Sequence, residues 1–76
     1  MSNVPQVSGK EVIKALGKVG FEVSRQKGSH IRLVRIQNGI KQLVTVPNHK
    51  VVRKGTLLNG ILKAVNISLD DFKELL

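Results

Sequence analysis

Histidine is the side chain that most readily exchanges a proton near neutral pH, and this chain has two, His30 and His49. The first ends the stretch Arg-Gln-Lys-Gly-Ser-His, residues 25–30. Two cations, Arg25 and Lys27, precede it there, and a third, Arg32, follows. The second histidine comes after Val-Pro-Asn and leads into Lys50, Arg53 and Lys54. No Asp, Glu or Cys lies between the two, so neither belongs to a cluster at metal-ligand spacing, and no metal site is expected. The phosphate-loop pattern G-x-x-x-x-G-K-S/T is absent. Ser29 and His30 are neighbours, and neighbours on a strand point to opposite faces, which is poor geometry for a serine activated by that histidine. What these residues suit is a substrate that brings its own nucleophile. RNA does so through its 2′-hydroxyl. Cutting it takes a base for that proton, cations to hold charge on the phosphate, and an acid for the leaving oxygen. It requires no metal, no cofactor and no enzyme nucleophile. His30 with Lys27 and Arg32 would supply much of this set, while His49, in a polar loop, is the weaker candidate.

The charge balance points the same way. Thirteen Lys and Arg face five Asp and Glu, for a net charge of +8. From Val23 to Leu69 there is no acidic residue, and that span holds nine cations. A surface of one sign attracts polyanions and speeds their association. An acidic protein would answer the same charge. Phe21 and Phe72 are the only aromatics. The chain therefore has no platform for stacking splayed bases, and contact with RNA would rest on phosphates and groove shape. The absence of cysteine excludes a disulfide framework and fits a reducing cytoplasm. No apolar run approaches the ~20 residues of a membrane span, and the N-terminus lacks the pattern of a signal peptide. The expectation is a cytoplasmic protein without membrane contact.

The elements that must position these residues follow from periodicity. Residues 1–7 read as flexible. Ser-Gly-Lys-Glu at 8–11 is a capping box, and Val12, Ile13, Leu16 and Val19 share one helical face, which predicts a helix over 8–19 ended by Gly20. Residues 21–26 alternate, with Phe21 and Val23 directed to one face of a strand. Gly28 marks a turn, and residues 29–36 form a second strand with Ile31 and Leu33 on one face and His30, Arg32 and Val34 on the other. Asn38-Gly39 is a hairpin signal, and residues 40–46 return as a third strand stopped by Pro47. Residues 48–55 form a basic loop. Leu58, Ile61, Leu62 and Val65 then fall at helical spacing, with Asn66 as the cap, and Ser68 with Asp71 opens a short last helix carrying Leu69, Phe72 and Leu76. The chain, residues 1–76, reads as one domain. Its class is α+β, the α-β-β-β-α layout of a double-stranded RNA-binding domain, with helices on one face of a three-stranded antiparallel sheet. The expected core is Val12, Leu16, Ile31, Leu33, Leu58 and Leu62.

Four blocks, Ser-Gly-Lys-Glu-Val-Ile-Lys-Ala-Leu from residue 8, Gly-Phe-Glu-Val-Ser-Arg-Gln-Lys-Gly-Ser-His from residue 20, Val-Thr-Val-Pro-Asn-His from residue 44 and Gly-Thr-Leu-Leu-Asn-Gly-Ile-Leu from residue 55, resemble in order and spacing the HicA family of toxins. The resemblance spans about residues 7–76. It implies an mRNA-cleaving ribonuclease toxin, silenced by a HicB antitoxin, in which the histidine of Gly-Ser-His is catalytic. That role carries over to His30, with Gly28 and Ser29 matching the residues before it. The family's Val-Pro-x-His matches Val46 to His49, and leaves the catalytic standing of His49 open. Many members carry a second histidine or an aromatic after the motif, where this chain has Ile31, Arg32 and Leu33. The residues expected to meet RNA are Arg25, Lys27, Gly28, Ser29, Arg32, His49, Lys50, Arg53 and Lys54. The same layout and charge also suit a non-catalytic RNA-binding module, or a basic domain whose partner is an acidic protein.

Overall fold

A computed structural model describes residues 3–76. Met1 and Ser2, at the start of the segment expected to be flexible, lie outside them. At the other end of that segment Val7 is buried, and its carbonyl accepts the Val52 N–H at 2.7 Å. Helix α1 (Gly9–Gly17) opens at Ser8. The Ser8 hydroxyl accepts the Glu11 N–H at 3.1 Å, and the Glu11 carboxylate accepts the Ser8 N–H at 2.9 Å. Two otherwise orphaned donors are thereby satisfied. The helix stops short of residue 19. Gly20 takes φ +100°, and the Phe21 N–H turns back to the Leu16 carbonyl at 3.2 Å.

Three strands follow, β1 (Glu22–Lys27), β2 (His30–Gln37) and β3 (Ile40–Pro47), antiparallel in the order β1-β2-β3. The β2–β3 turn is Asn38-Gly39, with φ of 54° and 76°, as a type I′ hairpin needs. The β1–β2 turn is Gly28-Ser29, with Gly28 at φ +59° in the first central position, where a side chain would be strained. Residues Thr56–Leu62 are wound as a π-helix that passes directly into α2 (Lys63–Val65); the Lys63 N–H bonds the Leu58 carbonyl, five residues back. Asn66 ends it in the left-handed conformation. Ser68 caps α3 (Leu69–Leu75) by accepting the Asp71 N–H. No helix among the described residues is long and apolar enough to cross a membrane.

The inner sheet face contributes Ile31, Leu33, Val44 and Val46 to a single apolar cluster with Val12, Ala15, Leu16, Phe21, Leu57, Ile61, Leu62, Val65 and Phe72. Burying such a side chain fully is worth about 1.5–3 kcal/mol, so this cluster holds the α-β-β-β-α layout together. The outer face is left to solvent, as the periodicity requires.

Two expectations are corrected. In the second helical stretch Leu57 joins Leu62 in the core in place of Leu58, which is half-buried. Leu57, Ile61 and Val65, spaced four apart, share the most deeply buried face of the stretch. On α3, Leu75 packs against the core and Leu76 is exposed. Val23 is 56% exposed although it pairs with the buried Leu33. The helices pack against β3, and β1 overhangs them as an edge strand with all six residues exposed.

Candidate active site

The sheet register decides what surrounds His30. Lys27 pairs with His30 and Arg25 with Arg32, but Val23 pairs with Leu33. Two steps along β1, from Val23 to Arg25, therefore match one step along β2, and Ser24 is left over as a β-bulge. Strand side chains alternate, so an unbroken strand would direct Arg25 to the core side with Val23. The extra residue reverses the alternation. Arg25 and Lys27 come onto the outer face beside His30 and Arg32. A bulge thus re-aims two charges that simple alternation would have sent inward.

On the other flank, counting outward from the two-residue Asn38-Gly39 turn pairs Arg32 with Thr45 and His30 with Pro47. Arg25, Lys27, His30, Arg32 and Thr45 line a shallow depression of about 250 Å³. A second depression, of about 440 Å³, is lined by His30, Thr45, Pro47, His49, Val51, Arg53 and Thr56. His30 and Thr45 belong to both. The two depressions meet on the outer sheet face beside the turn of the first hairpin.

The structure therefore gathers Arg25, Lys27 and Arg32 around His30, and brings His49 and Arg53 to its other side. Gly28 and Ser29 contribute backbone: the first permits the turn, and the Ser29 carbonyl accepts the Asn48 N–H at 2.6 Å. Lys50 and Lys54 are exposed on the loop and line neither depression. Thr45, Thr56 and Val51 were not foreseen. Thr45 was legible, since the Asn38-Gly39 turn fixes it opposite Arg32. Thr56 and Val51 depend on how the loop folds back, for which the sequence carries no local signal.

The loop is held at both ends. The His49 carbonyl accepts the Gly9 N–H and its N–H donates to the Pro47 carbonyl, both at 2.9 Å. Gly9 is buried against this loop; a Cβ there would collide with the Pro47 carbonyl oxygen and come within 2.9 Å of Asn48 Cα.

The carboxylates stand apart from the site. Glu11 caps α1, Glu22 sits opposite Val34 at the far end of β1, and Asp70, Asp71 and Glu74 belong to α3. Among the described residues no group of three or more His, Cys, Asp or Glu could hold a metal ion. Arg35 is a cation of a different kind. It lies on the inner face, 4.5 Å from the Phe21 ring centre, and donates to Gln42 at 2.8 Å and to the Val19 carbonyl at 3.0 Å. An exposed imidazole flanked by fixed positive charge can take a proton from a substrate that is itself an anion.

The family model described as HicA toxin of bacterial toxin-antitoxin matches residues 9–67 of the 76. No curated protein and no solved structure matches the chain.

Proposed function

Because the chain belongs to the HicA family and is thus the toxin of a toxin–antitoxin system, we propose that it is an endoribonuclease that cuts mRNA without a metal, with His30 as the base. The observation that carries this reading is that the Ser24 bulge brings Arg25 and Lys27 to an exposed His30, which already shares its strand face with Arg32. The cations hold the strand by its phosphates and stabilise the extra charge as the 2′-oxygen attacks phosphorus. Removing one such charge-stabilising group ordinarily slows an enzyme about 10²–10³-fold. His30 accepts the 2′-hydroxyl proton. The exposed outer face, with no aromatic on it, suits recognition through the sugar–phosphate backbone.

His30→Ala tests the assignment. It keeps every cation, so RNA affinity stays within a few-fold, while cleavage falls by about 10²–10⁴. RNA with a 2′-deoxy sugar at the scissile position binds and stays intact, and EDTA has no effect. Wild-type protein that binds RNA and never cuts it would replace this reading with a non-catalytic RNA-binding module.

The partner is a HicB-like antitoxin that covers the His30 face and sets carboxylates against Lys27, Arg32 and Lys54. Such complementarity speeds association. A purified complex that cut RNA as fast as the free toxin would rule this mode of silencing out.

A further inference from the structure

We propose that His49 is the general acid of the site, the group that protonates the leaving 5′-oxygen while His30 takes the proton of the 2′-hydroxyl. The proposal rests on the ribonuclease reading above and adds its second catalytic residue.

His30 and His49 line the same depression, and both are exposed, so a polymer can reach both. The backbones that carry them are tied together: the residue before His49 donates its N–H to the carbonyl of the residue before His30, from Asn48 to Ser29. A basic connection between a strand and a helix is ordinarily among the freer parts of a domain. This one is fixed at four backbone points, Asn48 to Ser29, His49 to Pro47, Gly9 to His49 and Val52 to Val7. Binding RNA charge alone does not call for such fixity, because a loose lysine or arginine serves. Proton transfer does, because the donor must lie within hydrogen-bond reach of one oxygen.

The other groups lining the depressions fit the role less well. Arg25, Arg32 and Arg53 stay protonated and cannot act as proton donors in turnover. Lys27 pairs with His30 on the side away from His49, among the phosphate-holding arginines. In phosphoryl transfer the attacking and leaving oxygens stand roughly in line through phosphorus, so base and acid must flank it. A phosphate at His30, where the two depressions meet, has Arg25, Lys27 and Arg32 to one side and His49 with Arg53 to the other. In the reaction, the 2′-O–H bond breaks and its proton passes to His30 as the 2′-O–P bond forms. The P–O5′ bond breaks, and its electron pair takes the proton of His49. The products are a 2′,3′-cyclic phosphate and a 5′-hydroxyl, and exchange with water resets the two imidazoles.

The test compares an RNA having the ordinary 5′-oxygen with one having sulfur at the 5′-bridging position, because a thiolate departs without being protonated. Wild-type, His30→Ala and His49→Ala full-length chains are assayed for kcat/KM on both. The bonds that fix residue 49 are made by its backbone, so His49→Ala retains them, and matching melting curves check this. His49→Gln serves as a second variant that keeps a polar side chain. The expected result is a loss of about 10²–10⁴-fold for both His49 variants on the oxygen substrate, with most of it recovered on the sulfur substrate. His30→Ala stays slow on both. Equal losses on the two substrates would mean that His49 only holds RNA, and undiminished cleavage of the oxygen substrate would mean that it does nothing; either overturns the proposal alone. Wild-type protein that cuts neither substrate, or His30→Ala that cuts normally, overturns the ribonuclease reading and this proposal with it.

Discussion

The acid-free span carries nine cations, but the fold sorts them, and a salt titration reads the sorting. Four line the depressions at His30: Arg25, Lys27, Arg32 and Arg53. Each phosphate neutralised on a single strand adds about −0.7 to the slope of log affinity against log salt. Four contacts give a slope of about −2.8, which is roughly a fifty-fold loss of affinity between 50 and 200 mM salt. Arg32→Gln leaves three contacts, a slope of about −2.1 and a loss of roughly twenty-fold over the same range. Arg35→Gln is the informative comparison, since it removes the same formal charge three residues along the same strand. Its guanidinium lies over Phe21 and donates to Gln42 and Val19 on the inner face. The slope should therefore stay near that of the wild type, while stability drops with the loss of two hydrogen bonds and the ring contact. The assay is fluorescence anisotropy with a labelled RNA, using His30→Ala as the background so that the RNA survives. If Arg35→Gln flattened the slope as much as Arg32→Gln, RNA would be answering to overall charge and not to the outer face, and the site as drawn would be wrong.

Two further outcomes follow from packing. Leu62→Ala empties a position that is 3% exposed beneath the sheet and should cost about 2–5 kcal/mol, much of what a domain of this size has, read as a lower denaturation midpoint; an unchanged midpoint would contradict the described helix phase. Gly9→Ala drives a methyl group against the Pro47 carbonyl and should cost about 1–3 kcal/mol while slowing cleavage more than binding, because it shifts the His49 loop; normal melting and normal turnover would show that the contact yields without consequence.

Local chemistry was legible in the sequence. The Ser8–Glu11 cap, the Asn38-Gly39 turn and the Ser68 cap each act through residues at most three apart, and the side chains needed are visible in a short window. The outward placement of His30 and Arg32 followed from alternation along β2. What could not be read depends on partners distant in the chain. The shift at Ser24 exists only relative to β2, so alternation along β1 could not place Arg25 on the outer face, although its charge marked it for RNA contact. The choice of Leu57 over Leu58 depends on which side of the helical stretch faces β3, and the leucine spacing does not disclose it. Leu75 displaced Leu76 because α3 turns its last apolar contact toward α1, where the Lys18 ammonium donates to the Leu75 carbonyl at 2.7 Å. The pinning of His49 needed Gly9, forty residues earlier, as its partner.

The bulge makes the length of β1 a design variable in its own right. Cutting one residue from a strand normally swaps the faces of everything beyond the cut. Ser24 is the exception, since Val23 and Arg25 already oppose consecutive residues of β2, Leu33 and Arg32. Excising it would splice two correctly paired segments and leave Arg25 and Lys27 where they are. Excising Gln26 instead, with Ser24 drawn into the ladder to keep Lys27 against His30, would put Ser24 opposite Arg32 and hand the inward place opposite Ile31 to Arg25. The strand carries one spare residue, and which residue is lost, rather than how many, decides whether the basic cluster survives.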